Sequence, residues 1–539
     1  MIAVSNGWVS ANQETILPET FLEITYSATE PGVQQLASST ATYESSFSDA
    51  AMVASPLDKF PEKYATLEHG LWGLDGSFEY YDGSPEDAGY VSDGLVNGET
   101  SYAGVPTITI TLPSVRTTLL PGITITWSEV LNEWASDFRV TAWADSVAVA
   151  QTTVTGNASP VTPVWLDMQY YNRITIEILK WSLPYHRVRC TEVFLGIRNI
   201  YTKTDLMGYT HTQTADLLSA ALPKNEITFR LRNEDQRWNP DNPTGAEQYL
   251  LTRQEVRVRY GMTVNGATEW IPGGTFWLSG WSTPANGLEA SFTARDALEF
   301  MNEEYTGPKS GTLYDIAIAA FEQAALPLND DGSLRYIVYD GLRDYTTDFS
   351  SDDNTQAYTM AQVLQMVAHA GNCTFHQDRN GVVRIEPWEP RYDGYIVDPW
   401  VSYSHPEYTI SKPLKAVSVG YGSNQERAVV ATTTGVGEVQ TVDNVFLRTE
   451  EDARRVGAHT GEMLLNRKVV SGDFRADVRL DALDNIIVTS KYASNIIAVT
   501  DISYSTTGGT FRGRYTGRVV SIDLKPDDIR VNEFYAGEV

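Results

Sequence analysis

The chain has 539 residues, 42% hydrophobic and 11% aromatic, with 29 Tyr and 13 Trp. At roughly 100–200 residues per domain it must hold several cores, and the aromatic load favours β-rich packing. Its 40 basic and 69 acidic residues leave a net charge of -29, which excludes specific nucleic-acid binding, since phosphate affinity comes from clustered Lys and Arg. The same charge suits a channel wall past which nucleic acid slides without sticking, although a plain acidic surface is the simpler reading. Cys190 and Cys373 are the two cysteines. They lie far apart without a C-x-x-C pair, so both are expected as buried free thiols of a protein made in a reducing cytosol. Residues 1–5 lead into polar sequence without a signal pattern, and the longest apolar run, 316–326, contains Glu322 and Gln323. That run is too short to cross a bilayer, and no membrane anchor is expected.

In chain order, residues 1–60 are rich in Ser, Thr, Ala and Glu, with one strand-like run at 20–26. They read as an arm that pairs with another part, because such segments are poorly ordered unless docked. Residues 61–200 carry short, evenly spaced strand patterns, among them 107–112, 123–127, 138–143, 173–178 and 188–197. No useful helical period interrupts them, which predicts a jelly-roll β-sandwich. The candidates for a carbohydrate contact in this part are Trp72, Asp75, Trp134 and Trp143, although Trp at strand positions is more often core. Asp75, Asp82, Asp87 and Asp93 are oxygen donors of the kind calcium takes, but their spacing fits no compact loop, and no metal is expected.

Residues 201–300 open with Ile227, Phe229 and Leu231 alternating against Thr228, Arg230 and Arg232. That is the two-residue period of a half-buried strand. A polar, proline-containing stretch at 233–245 follows, then a second alternating strand to Gly261 and two further strand-like runs, 273–281 and 290–296. Four such strands make a small antiparallel barrel or sandwich. Residues 301–395 form an α/β insert, with helical spacing at 312–325 and 358–370. A hairpin is predicted at the Asp378-Arg379-Asn380-Gly381 turn. The acidic loop 344–353 reads as solvated rather than calcium-binding. From 396 to 539 the β pattern returns, interrupted by one helix that starts at Thr449 with acids in its first turn. Near the end, Arg512, Arg514 and Arg518 alternate with Phe511 and Tyr515. They are either a solvated strand face or a subunit contact to an acidic neighbour.

No catalytic motif is present: no G-x-S-x-G, no phosphate loop, no H-E-x-x-H. The seven His are dispersed, and Cys373 and His376 fall on opposite faces of a strand. No enzyme activity, cofactor or metal is expected; a glycan hydrolase is the enzymatic rival, because paired carboxylates need no motif.

The order of strand, Asn-x-Asp, Asn-Pro, strand ending Tyr260-Gly261, Gly-rich aromatic strand and closing Ala294-Arg295-Asp296 resembles the first barrel of phage tail hub proteins, found at the tail tip or baseplate. The "helix, Gly371-Asn372-Cys373, strand, Asn380-Gly381, strand" element resembles the insert between the two hub barrels, and 510–520 resembles the closing strands of the second. Residues 64–68, 72–77 and 184–189 resemble a galactose-binding-like jelly-roll module found ahead of such hubs. The resemblance implies a mainly β, multidomain chain: arm 1–60, jelly-roll sandwich 61–200, barrel 201–300, α/β insert 301–395 and barrel 396–539. It implies a structural protein of the virion tail tip, made in the host cytoplasm and forming a homotrimeric ring through which DNA passes. Its partners would be a distal tail or tube protein, a tape measure and a tip fibre or spike. A cell-wall carbohydrate-binding adhesin is the alternative.

Overall fold

The computed structural model describes residues 1–14, 18–55, 68–70, 88–242, 245–284, 287–329, 332–350, 357–389, 394–423, 426–432, 436–507 and 511–520. Among them the protein is mainly β, with several sheets built around three apolar cores. No described helix is long and apolar enough to cross a membrane.

The largest sheet has 13 strands. Its first half runs Thr20–Ala28, Glu255–Val264, Ala267–Ser282, Glu289–Arg295, Lys224–Arg232 and Leu206–Thr214. Period-two burial is plain in Lys224–Arg232, where Ile227, Phe229 and Leu231 are buried between less buried neighbours. Ala267–Ser282 is long enough to bend, and it does so where its register with Glu255–Val264 shifts between Val258 and Arg259. Gly273 sits at that bulge, where a Cβ would lie 2.7 Å from Val258 Cγ1. Gly274 beside it has φ of +141°, a conformation open to glycine.

Leu206–Thr214 also pairs with Ser494–Thr506, Tyr209 facing Thr506 and Thr214 facing Asp501. From that seam the sheet continues through Arg512–Val519, Lys468–Arg475 and Glu407–Ile410, with Asn485–Thr489 and Ile396–Val397 branching from Ser494–Thr506. Both halves wrap one connected core, from Leu22, Phe229 and Tyr260 to Phe474, Ile497 and Tyr515. The N-terminal helix Asn6–Asn12, capped by Ser5, buries Trp8 in the same core.

The jelly roll has a five-stranded sheet, Ser38–Ala41, Thr107–Arg116, Tyr171–Trp181, Ala135–Ala144 and Val147–Val154, in that spatial order. A three-stranded sheet of Glu192–Phe194, Leu120–Thr126 and Val161–Met168 contributes to the same core. Trp127 anchors that core, edge-on to Phe138 at 5.2 Å and to Trp181 at 6.0 Å. The residues before 60 serve both bodies: Ser38–Ala41 extends the jelly roll, while Thr20–Ala28 is inserted between Glu255–Val264 and Ile197–Tyr201.

The third core joins the helices Leu313–Ala324 and Met360–Ala370 to Glu450–Leu465 and the sheet of Leu414–Tyr421, Glu426–Ala431 and Glu438–Val442. Thr312, Thr359 and Thr449 cap the three helices, Thr359 with Gln362 in a reciprocal capping box. Glu450–Leu465 approaches its sheet through Gly457, where a Cβ would lie 2.9 Å from Val430 Cγ2. Three strands of the 396–539 region therefore pack with the insert instead of joining the 13-stranded sheet. Val417 and Val419 face the helices, and that burial holds them there.

Candidate functional site

The hairpin Thr374–Gln377 to Val383–Glu386 closes through Asp378 N–H donating to Val382 O at 2.9 Å, with Gly381 at φ of +79°. The loop thus holds three residues, Arg379, Asn380 and Gly381, ending in a left-handed glycine. This geometry drives Arg379 into the seam between the two halves of the large sheet. Its Nε reaches both carboxylate oxygens of Asp481 at 2.8 and 2.9 Å, Nη1 donates to Pro272 O at 3.0 Å and Nη2 to Leu480 O at 2.7 Å. Burial, the largest single influence, works against the charge, but Asp481 with Tyr504 and Tyr260 together outweigh it and hold the guanidinium above its ordinary pKa.

Around this pair lies a closed polar set. Gln213 donates to Asp481 Oδ1 at 2.8 Å and accepts from Ala482 N–H at 2.9 Å. Tyr504 donates to Leu480 O at 2.6 Å. His211 bridges Tyr260 Oη (2.9 Å, Nδ1) and Asn225 Oδ1 (2.8 Å, Nε2), and the Tyr209 and Tyr260 hydroxyls meet at 2.8 Å. The Asn225 carbonyl oxygen requires an N–H at Nε2, so Nδ1 accepts from Tyr260. Burial above all pushes the imidazole pKa down to about 4, leaving it neutral. His211 is 1% exposed and Arg379 4%. Such enclosed, mutually satisfied groups fasten three parts of the chain together and give a reactant no access.

A second buried set lies in the jelly roll. Arg189 Nη1 donates to Glu68 Oε1 at 2.6 Å and lies 3.8 Å from Glu133 Oε2. Glu133 also accepts from Trp181 Nε1 at 2.9 Å and pairs with His186 Nδ1 at 2.8 Å. Glu68, Glu133 and His186 form the one metal-sized cluster among the described residues. Arg189 already supplies the positive charge between the carboxylates, so the donor set fits an ion network better than a cation.

Trp72 and Asp75 fall outside the described residues, as do Asp82 and Asp87. Trp134 is half-buried, its Nε1 donating to Asn157 O at 2.8 Å. Trp143 lies half-buried on the outer face of the five-stranded sheet, with the Arg173 guanidinium 5.1 Å over its ring and Nε1 bonded to Thr175 Oγ1 at 3.0 Å. The two flank opposite ends of Ala135–Ala144, about 30 Å apart at ~3.3 Å per residue, so one sugar cannot touch both. Arg512, Arg514 and Arg518 share one face of Arg512–Val519. Arg512 lies 5.7 Å over the Tyr403 ring, Arg514 is exposed, and Arg518 donates to Asn466 O at 3.2 Å. Cys190 and Cys373 are both buried. Of the seam, sequence reasoning reached the Asp378–Gly381 turn alone; an arginine inside a predicted turn was the available signal.

The chain matches no protein-family profile and no curated protein sequence. Solved structures similar to it are mostly phage tail and baseplate proteins. A 43 kDa tail protein of prophage MuSo2 from Shewanella oneidensis aligns at 12% identity, covering 61% of this chain and 96% of that one, with a TM-score of 0.40. A tail protein from Neisseria meningitidis aligns at 10% identity over 60% and 94%, also at 0.40. The family 32 carbohydrate-binding module of NanJ from C. perfringens, solved with galactose, aligns at 14% identity over 33% and 99%, with a TM-score of 0.20.

Proposed function

We infer that this chain is a structural hub at the distal end of a phage tail, joining the tail tube to the tip. In this reading 61–200 is the jelly roll, 201–300 and 396–539 contribute the two hub barrels, 301–395 is the insert between them, and 1–60 is a docking arm. The observation that carries it is the seam at Leu206–Thr214, hydrogen-bonded on one edge to Lys224–Arg232 and on the other to Ser494–Thr506. Two strand shells are thereby fixed side by side in one polypeptide, and the Arg379–Asp481 pair holds them in register with the insert. Three chains then present six shells around a bore, matching a threefold tip to a sixfold tube. A net charge of -29 keeps such a bore from retaining DNA, because like charges repel. The partners on this reading are a distal tail or tube protein, a tape measure and a tip fibre or spike, and the site of action is the virion tail tip. Arg512 and Arg514, exposed on the second shell, are candidate subunit contacts.

Native mass measurement of the full chain, alone and with tail-tube protein added, tests the ring. The expected species is three chains of 59.8 kDa each. Monomer alone under both conditions, at low and high salt, would sink it. A cell-wall carbohydrate-binding role rests on the jelly roll and on Trp143, which is half-buried on its outer face. Binding of the full chain to a bacterial glycan array that falls at least tenfold in Trp143→Ala is the outcome that reading expects. No binding, or none lost, would remove it.

A further inference from the structure

The strand Glu407–Ile410 ends the 13-stranded sheet, and all four of its residues are exposed. It pairs with Lys468–Arg475 on one side, Ile410 opposite Lys468, and no described strand pairs with its other side. Ser411 N–H donates to Arg467 O at 2.9 Å. Antiparallel ladders alternate, so Thr409 and Glu407 also bond inward, and the N–H and C=O groups of Tyr408 and Ile410 point outward. Natural sheets blunt such an edge by keeping it short or by placing a charge, a proline or a bulge on it, and this one is four residues long and begins at Glu407. Here prolines stand outside the strand, at 406 and 413, and the edge itself carries Tyr408 and Ile410, 42% and 61% exposed.

Two lysines lie toward this edge in a strongly acidic chain, against one exposed acid, Glu407, on the strand itself. Lys468 shares the face of Tyr408 and Ile410, since it stands opposite Ile410. The Tyr408 hydroxyl accepts from Asn495 Nδ2 at 3.4 Å. Asn495 lies next to the turn of the hairpin whose tip carries Lys491 and Tyr492, the latter 88% exposed with the Lys491 ammonium 5.4 Å over its ring. Lys412, next on the same face, is paired with Glu438. Exposed aromatics, a strand edge with no described partner strand and two lysines outside any described ion pair mark one rim of the second shell.

We propose that this rim is a docking site for an extended acidic segment of a partner protein, which adds a strand to Glu407–Ile410. Main-chain bonds to Tyr408 and Ile410 would supply the pairing, and alternate carboxylates would face Lys468 and Lys491. The site does not depend on how many copies of the chain assemble.

The probe is a labelled ten-residue peptide alternating Glu and Val, with a Lys–Val peptide of the same length as control, read by fluorescence anisotropy on the full chain. The Glu–Val peptide should bind at least tenfold tighter than the Lys–Val peptide and weaken on raising salt. Lys468→Glu with Lys491→Glu should reduce binding at least tenfold without altering the circular dichroism spectrum. Ile410→Pro, which removes an outward N–H and leaves the inner ladder intact, should abolish it. Equal binding of the two peptides, or binding indifferent to the charge reversals, would overturn the proposal. Binding seen only after removal of residues 521–539 would overturn the partner assignment and give the site to the chain itself.

Discussion

Arg379 shows how one side chain fixes the relation between distant parts of a polypeptide. Its partners come from 272 and from 480–481, and only folding brings these together. Truncating one member of a buried ion pair leaves the other uncompensated. Arg379→Met should therefore lower stability by about 2 kcal/mol, below the range for a fully buried pair because Asp481 is a quarter exposed, measured by urea denaturation. Asp481→Asn added to it should recover part of that loss, because no unpaired charge then remains. Asp296 makes a second residue-scale prediction. Its Oδ1 accepts from Leu298 N–H at 3.1 Å, Oδ2 has no described partner, and burial pushes the carboxyl up to about 7. Unfolded, the group loses its proton near 3.8. Its contribution is thus full below about pH 4 and falls away as pH rises to about 7, by up to ~4 kcal/mol. Asp296→Asn, which keeps the cap, should raise the melting temperature, and by more at pH 8 than at pH 5. His211 and His369, both pushed by burial to about 4, act in the opposite sense. They take up protons near 6.5 only when unfolded, so stability they provide above that value is lost as pH falls through 6.5 towards 4.

At the scale of elements, the segments before residue 60 are structural members of two bodies. Ser38–Ala41 completes a jelly-roll sheet, and Thr20–Ala28 fills a place in the large one. The helix Asn6–Asn12 lies across both halves of the core. Trp8 is 2% exposed in a group that includes Met262 from one half and Ala476 and Val478 from the other. Asn12 Nδ2 donates to Asp477 at 2.8 Å, while Ser5 N–H donates to Glu269 at 3.0 Å. Seven residues are too few for a stable isolated helix, so packing holds it in place. Trp8→Ala should cost about 3–5 kcal/mol, the range for removing a buried Trp, read as a drop in denaturant midpoint with an unchanged slope. An unchanged midpoint would mean the helix is not seated.

At the scale of the molecule, cores and sheets do not follow chain order. The two strand shells share one apolar core across their seam, whereas the jelly-roll core, around Trp127, is separate. Scanning calorimetry should resolve at least two transitions, and Phe138→Ala in the jelly roll should shift one while leaving the other in place. A single transition displaced as a whole would contradict separate cores. The sequence by itself determined strands such as Lys224–Arg232 and the three longer helices, because alternation such as Ile227, Phe229, Leu231 and a cap such as Thr449 are local, whereas the short helix Asn6–Asn12 is held by packing and was not legible. It also determined that Cys190 and Cys373 are buried among apolar neighbours. Only the tertiary structure decided where Arg379 points, that Glu133 meets His186 and Arg189, and that Leu414–Tyr421 packs with the insert helices. Those outcomes depend on pairings between residues tens to hundreds of positions apart, and the free energy that selects them comes from shared burial, which no local pattern records.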